Sequence, residues 1–182
     1  AAETEDIVSE YIWTADRLLD AGALNIVFET LSSPQGIEEA ASHIKDRNAD
    51  SFIMVNFAVQ AGGFTAEGIY AGDIIEELSG SQYIDAIGFN CGSSAGHLLE
   101  TVKAVRDKGL LKNKYFAVLP NSGYPMVVGN RTFYEGDPYY FACRLKDMEE
   151  AGVNILGGCC GTTPAHIEEA RKLLDREPEK QD

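Results

Sequence analysis

Five short, nearly uninterrupted apolar runs recur along the chain: residues 24–28 (LNIVF), 52–57 (FIMVNF), 84–89 (IDAIGF), 115–119 (YFAVL) and 153–156 (VNIL). A strand with one wet face alternates apolar and polar residues, so an unbroken run suits a strand buried on both faces. The runs begin 28, 32, 31 and 38 residues apart. Each interval has room for one helix, and that repeat makes successive strands parallel. Helices are expected over residues 4–21 with Gly22 as C-cap, then over 37–45, 66–78, 95–108 and 139–151. Thr163, followed by Pro164 at the first helical position, opens a last helix ending near Leu174. At 182 residues and 45% hydrophobic, the chain suits one buried core, a single domain over 1–182, with a charged tail at 176–182 expected to fray.

Two architectures take such a repeat, an open doubly wound sheet or a (β/α)₈ barrel. The turn after the first run, residues 29–34 (ETLSSP), is not a glycine-rich dinucleotide fingerprint. Polar residues able to do chemistry instead sit at the C-terminal end of every run: Glu29, Asn56, Asn90 with Cys91, Asn121, and Cys159 with Cys160. Function spread over many strand ends favours a barrel, where every such loop faces one mouth. Eight units of about 30 residues need about 240, and five are present.

Net charge narrows the partners. At −14, with no Lys/Arg cluster, the chain is not expected to bind nucleic acid or an anionic membrane surface. The acidic start (AAETEDIVSE) is unlike a signal peptide, and no apolar run reaches membrane-spanning length, so a cytoplasmic setting is expected. There, clustered cysteines point to metal or chemistry more than to disulfides.

Cys91 closes the third run in GFNCG, and Cys159 and Cys160 close the fifth in LGGCCG, 68 residues later. Neighbouring cysteines in an extended strand point to opposite faces, so both reach one metal only if the backbone turns. Gly157, Gly158 and Gly161 provide that freedom. Three soft sulfur ligands with a fourth position open describe a catalytic zinc site, suited to holding another sulfur. The competing readings are a buried core thiol at Cys91 and a redox pair at Cys159–Cys160. Cys143, inside the helix expected over 139–151, is expected to pack. His43, His97 and His166 are expected at the surface or as caps. Phe133, Tyr134, Tyr139, Tyr140 and Phe141 are expected in a core or an interface.

GFNCG, LPNSGYP and above all GGCCGTTPAHI resemble the homocysteine-binding domain of the homocysteine S-methyltransferases, with IVFETLSS and VNFAVQAGG similar to the family's fourth and fifth strands. The resemblance covers nearly the whole chain. It implies a (β/α)₈ barrel of which strands four to eight are present, the C-terminal part of the domain. The family's first strands, with their DGAMGT-type segment, have no counterpart among these residues. It also implies zinc held by Cys91, Cys159 and Cys160, the amino group of homocysteine held by Glu29, and Asn121 and Asn90 shaping the substrate pocket. The implied activity is transfer of a methyl group to homocysteine, giving methionine, with cobalamin or folate on another domain among the methyl sources. Partners would be homocysteine and a methyl donor or donor-carrying domain, with a homo-oligomer left open. The alternative is a catalytically silent zinc-binding fragment with a structural or assembly role.

Overall fold

A computed structural model describes residues 4–175, so the tail expected to fray at 176–182 lies outside the described residues. Helix α1 (Thr4–Asp20) leads into strand β1 (Asn25–Leu31). Then follow α2 (Ile37–Arg47), β2 (Phe52–Phe57), α3 (Ala71–Leu78), β3 (Ala86–Ser94), α4 (Ala95–Asp107) and β4 (Tyr115–Asn121). A short β5 (Pro125–Val128) and β6 (Arg131–Tyr134) precede α5 (Pro138–Glu150), β7 (Ile155–Leu156) and α6 (Pro164–Leu174). No helix among the described residues is long and apolar enough to cross a membrane.

Strands β1, β2, β3, β4 and β7 form one parallel sheet in their order along the chain. A doubly wound sheet must reverse its strand order at a switch point, and this sheet never does. The fold is therefore of the (β/α)₈-barrel class, with five βα units.

The two faces of the sheet are packed differently. Ile53, Val55, Phe57, Ile87, Phe89, Phe116 and Val118 face the helices and are fully buried there with Ile37, Ile44, Ile74, Leu98, Phe141 and Met148. Each such side chain contributes about 1.5–3 kcal/mol by leaving water. On the inner face the register aligns Val27, Met54, Ala86 and Tyr115 in one row, and Asn56, Gly88, Ala117 and Ile155 in the next. The first row ends in exposed side chains, Val27 and Tyr115. Gly88 is required by the close approach of its neighbour, because an added Cβ would lie 1.6 Å from the Ala117 carbonyl oxygen.

Departures from the sequence expectation cluster at the ends of strands. The first strand starts one residue later and runs through Leu31, and the third starts at Ala86 and runs on to Ser94. Both extensions cross positive-φ residues, Thr30 (φ 61) in β1 and Cys91 (φ 58) with Gly92 (φ 70) in β3. The fifth strand shrinks to Ile155–Leu156. Helix α3 begins at Ala71, because Phe64 bridges Tyr70 and Gly62, Gly63 and Gly68 all adopt positive φ before it. The antiparallel hairpin of β5 and β6, closed by Gly129 and Asn130, adds two strands to the expected five.

Candidate metal centre

Two backbone distortions bring the sulfurs together. After Asn90, Cys91 and Gly92 both take left-handed φ values, which swings the end of β3 out of the ladder and shifts its register with β4. Gly92 could not be replaced without loss, since an added Cβ would meet the Val59 carbonyl oxygen at 2.6 Å. A non-glycine residue held in this region costs about 1–3 kcal/mol, which the surrounding packing must offset. At the other arm, the Thr162 N–H donates to the Cys159 carbonyl at 3.1 Å across a turn with Gly161 at φ 77. This is the turn that two adjacent cysteines need, and of the three nearby glycines only Gly161 uses a positive φ for it.

The double-cysteine turn is tied to the end of β4 by three hydrogen bonds. Cys159 N–H donates to the Pro120 carbonyl at 2.9 Å, Cys160 N–H to Asn121 Oδ1 at 3.1 Å, and Ser122 N–H to the Cys160 carbonyl at 3.0 Å. Cys91, Cys159 and Cys160 consequently place their sulfurs within 4.8 Å of one another, with Cys91 Sγ 3.7 Å from Cys160 Sγ. All three are unpaired and half-buried. A tetrahedral zinc with bonds of about 2.3 Å sets its sulfurs about 3.8 Å apart, so the spacing fits that ion.

Burial and the neighbouring Cys91 push the Cys159 thiol up to about 12. Cys160 is held below the usual thiol range, chiefly because the Tyr134 hydroxyl donates a hydrogen bond to it, and Tyr134 is raised in return. Cys159 therefore resists carrying a negative charge unless a cation sits beside it, and a bound metal reverses that resistance. On this chemistry, too, the residues fit zinc.

Tyr134 was assigned only to a core or interface by its sequence, and the structure corrects that. It lies at the end of the hairpin against Gly161, where an added Cβ would meet its ring and Cβ. Of the five aromatics, Phe141 alone enters the core, while Phe133, Tyr139 and Tyr140 are exposed. The overlooked signal was the Gly129–Asn130 pair between two apolar stretches, a hairpin signature.

Glu29 is exposed at the C-terminal end of β1, an edge of the sheet. Asn90 is buried, accepting the Thr30 N–H on Oδ1 at 2.7 Å, with Nδ2 2.9 Å from Thr30 Oγ1 and 3.8 Å from Cys159 Sγ. Asn121, expected to line a substrate pocket, is buried and uses its side-chain oxygen on the Cys160 backbone. Asn56 is buried on the inner face, and its Oδ1 has no partner among the described residues.

The expected bystanders lie outside the cluster. Cys143 is half-buried on α5. His43 pairs with Asp16 at 2.9 Å and His97 with Tyr124 at 2.9 Å. His166 completes a capping box with Thr163, so the start of α6 is a helix cap.

Comparison with known proteins adds the family. The sequence pattern described as Homocysteine S-methyltransferase matches residues 1–174. The chain is 26% identical over 178 residues to a methionine synthase of Mycobacterium leprae (strain TN), covering 91% of this chain and 14% of that protein. It is 29% identical over 154 residues to the homocysteine S-methyltransferase of Escherichia coli (strain K12), covering 84% of this chain and 48% of that one. Among solved structures, the metallated form of the homocysteine methyltransferase MmuM from Escherichia coli aligns with a TM-score of 0.74 at 24% identity, over 95% of this chain and 53% of that chain. The chain thus spans half or less of the length of these curated relatives.

Proposed function

Because the chain belongs to the homocysteine S-methyltransferase family, we propose that Cys91, Cys159 and Cys160 hold one zinc ion and that the protein methylates the sulfur of homocysteine to give methionine. The observation that carries this reading is the convergence of three unpaired sulfurs within 4.8 Å at the C-terminal end of the parallel sheet. When bound, zinc would take over the charge of a substrate thiolate and keep its sulfur nucleophilic at neutral pH.

The chain's own residues supply placement. Glu29 presents a carboxylate at the same end of the sheet, a natural partner for the α-ammonium group of the amino acid. Asn121 and Asn90 shape the pocket by fixing what surrounds it, the Cys160 backbone in one case and Thr30 in the other. Alignment of the amino acid by its ammonium group would set its sulfur for in-line attack on the methyl carbon, with the donor's leaving group departing opposite.

The donor is read as methylcobalamin, a folate working through cobalamin, or a small sulfonium or ammonium compound. A donor on another domain is supported by the length of the methionine synthase relative, of which this chain matches 14%. The chain is read as the C-terminal five units of a homocysteine-binding barrel, acting in the cytoplasm where its cysteines stay reduced.

The test is zinc content followed by titration with L-homocysteine while zinc–sulfur coordination is followed by X-ray absorption. One zinc per chain that gains a fourth sulfur supports the proposal. Zinc without any response to homocysteine leaves the silent, structural fragment. No zinc in fully reduced protein overturns both.

A further inference from the structure

Thr30 is a β-branched residue at φ 61, a region such residues avoid. It belongs to a bulge: Phe28 pairs with Val55 and Leu31 with Phe57, so Glu29 and Thr30 together oppose the single residue Asn56. Side chains alternate along a strand, so the bulge resets which face the residues beyond it present, and its geometry sets the direction of Glu29 inside it. Among the described residues, one side chain grips Thr30 in this conformation. Asn90, 2% exposed, accepts its N–H at 2.7 Å and donates to its hydroxyl at 2.9 Å. The same Nδ2 group lies 3.8 Å from the sulfur of Cys159. Three parts of the site, the Glu29 arm, the end of β3 and the double-cysteine turn, therefore meet at one amide.

We propose that Asn90 is a positioning residue that couples substrate recognition to the metal cluster, locking the bulge that aims Glu29 while its amide N–H withdraws charge from the Cys159 sulfur. The inference rests on the proposed function for the identity of the amino acid. Its two arms are separable. On the substrate arm, loss of the fork lets Thr30 return to ordinary strand geometry, and Glu29 loses its aim. On the metal arm, loss of the N–H leaves Cys159 more electron-rich than a ligand with a hydrogen-bond donor.

The experiment uses the full chain loaded with cobalt(II), with L-homocysteine binding and the sulfur-to-cobalt charge-transfer band read separately. Asn90→Ala should weaken homocysteine binding about as much as Glu29→Gln does, by about one to two orders of magnitude, and shift the charge-transfer band, whereas Glu29→Gln should weaken binding and leave the band of the amino-acid-free protein in place. In the Asn90→Ala background, Glu29→Gln should cost almost nothing further. Thr30→Gly, which adopts positive φ without help, should restore binding in that background but not the band. Asn90→Asp, close in shape, keeps the acceptor for the Thr30 N–H and loses the donors, so it should shift the band and guards against misfolding of the alanine variant. Additive losses for Asn90→Ala and Glu29→Gln, no rescue by Thr30→Gly, or an unmoved band in both Asn90 variants would overturn the coupling. Failure of the parent chain to bind homocysteine at all would instead overturn the proposed function, and the coupling with it.

Discussion

The side-chain oxygen of Asn121 accepts the backbone N–H of Cys160 at 3.1 Å, across 39 residues of sequence. Through that bond the end of β4 fixes the direction in which the double-cysteine turn leaves the sheet. The cluster is consequently a product of sheet geometry as much as of cysteine content, and its members should not be interchangeable with the fourth cysteine.

Cys159→Ala should abolish retention of zinc, while Cys143→Ala should keep one zinc per chain. Metal analysis after gel filtration distinguishes the two. Equal loss in both would mean that Cys143, half-buried on α5, had been wrongly set aside.

Replacing Glu29 by Gln should weaken homocysteine binding by about one to two orders of magnitude, the worth of a hydrogen bond to a charged group. Zinc content should stay unchanged, because Glu29 is no part of the sulfur cluster. Calorimetric titration and metal analysis on the same sample test both halves.

Metal-free protein should lose stability as pH rises from about 9 towards 12. The Cys159 thiol is raised from 9.0 to about 12 in the folded chain. The unfolded state therefore gives up its proton first, binds fewer protons throughout that window, and is favoured by rising pH. Below pH 9 both states are protonated and the contribution is fully present. Thermal melts of the parent against Cys159→Ser isolate this group, and the parent should show the steeper fall.

Gly88→Ala should destabilise the fold by about 3 kcal/mol or more, since no rotamer removes a Cβ that meets a backbone carbonyl at 1.6 Å. Urea unfolding measures the loss. A variant as stable as the parent would show that β3 and β4 can separate without cost.

Much of the architecture was legible because burial on both faces leaves a plain record in composition. The run at 52–57 coincides with β2, and the capping pair Thr163–Pro164 marks the start of α6. Strand ends were less legible, because Thr30 and Cys91 extend their strands through left-handed geometry that neither residue type announces. The three sulfurs could be suspected from softness and spacing, yet their convergence depends on Asn121, Gly92 and Gly161 acting at a distance. The place of Tyr134 beside Cys160 was illegible for a related reason: it reaches Cys160 by way of a hairpin that folds back on the sheet.

The consecutive strand order also bears on how this chain finds its structure. Every strand of the main sheet pairs only with strands adjacent to it in that order, so each pairing closes a loop of roughly thirty to forty residues and none waits for the two ends of the chain to meet. Closure entropy grows only with the logarithm of loop length, so these steps carry similar, moderate penalties. Assembly can then proceed by accretion, each βα unit templating the next. The sulfur cluster is the exception. It needs β3, β4 and the turn after β7 together, so metal capture should mark the completion of folding and not its beginning.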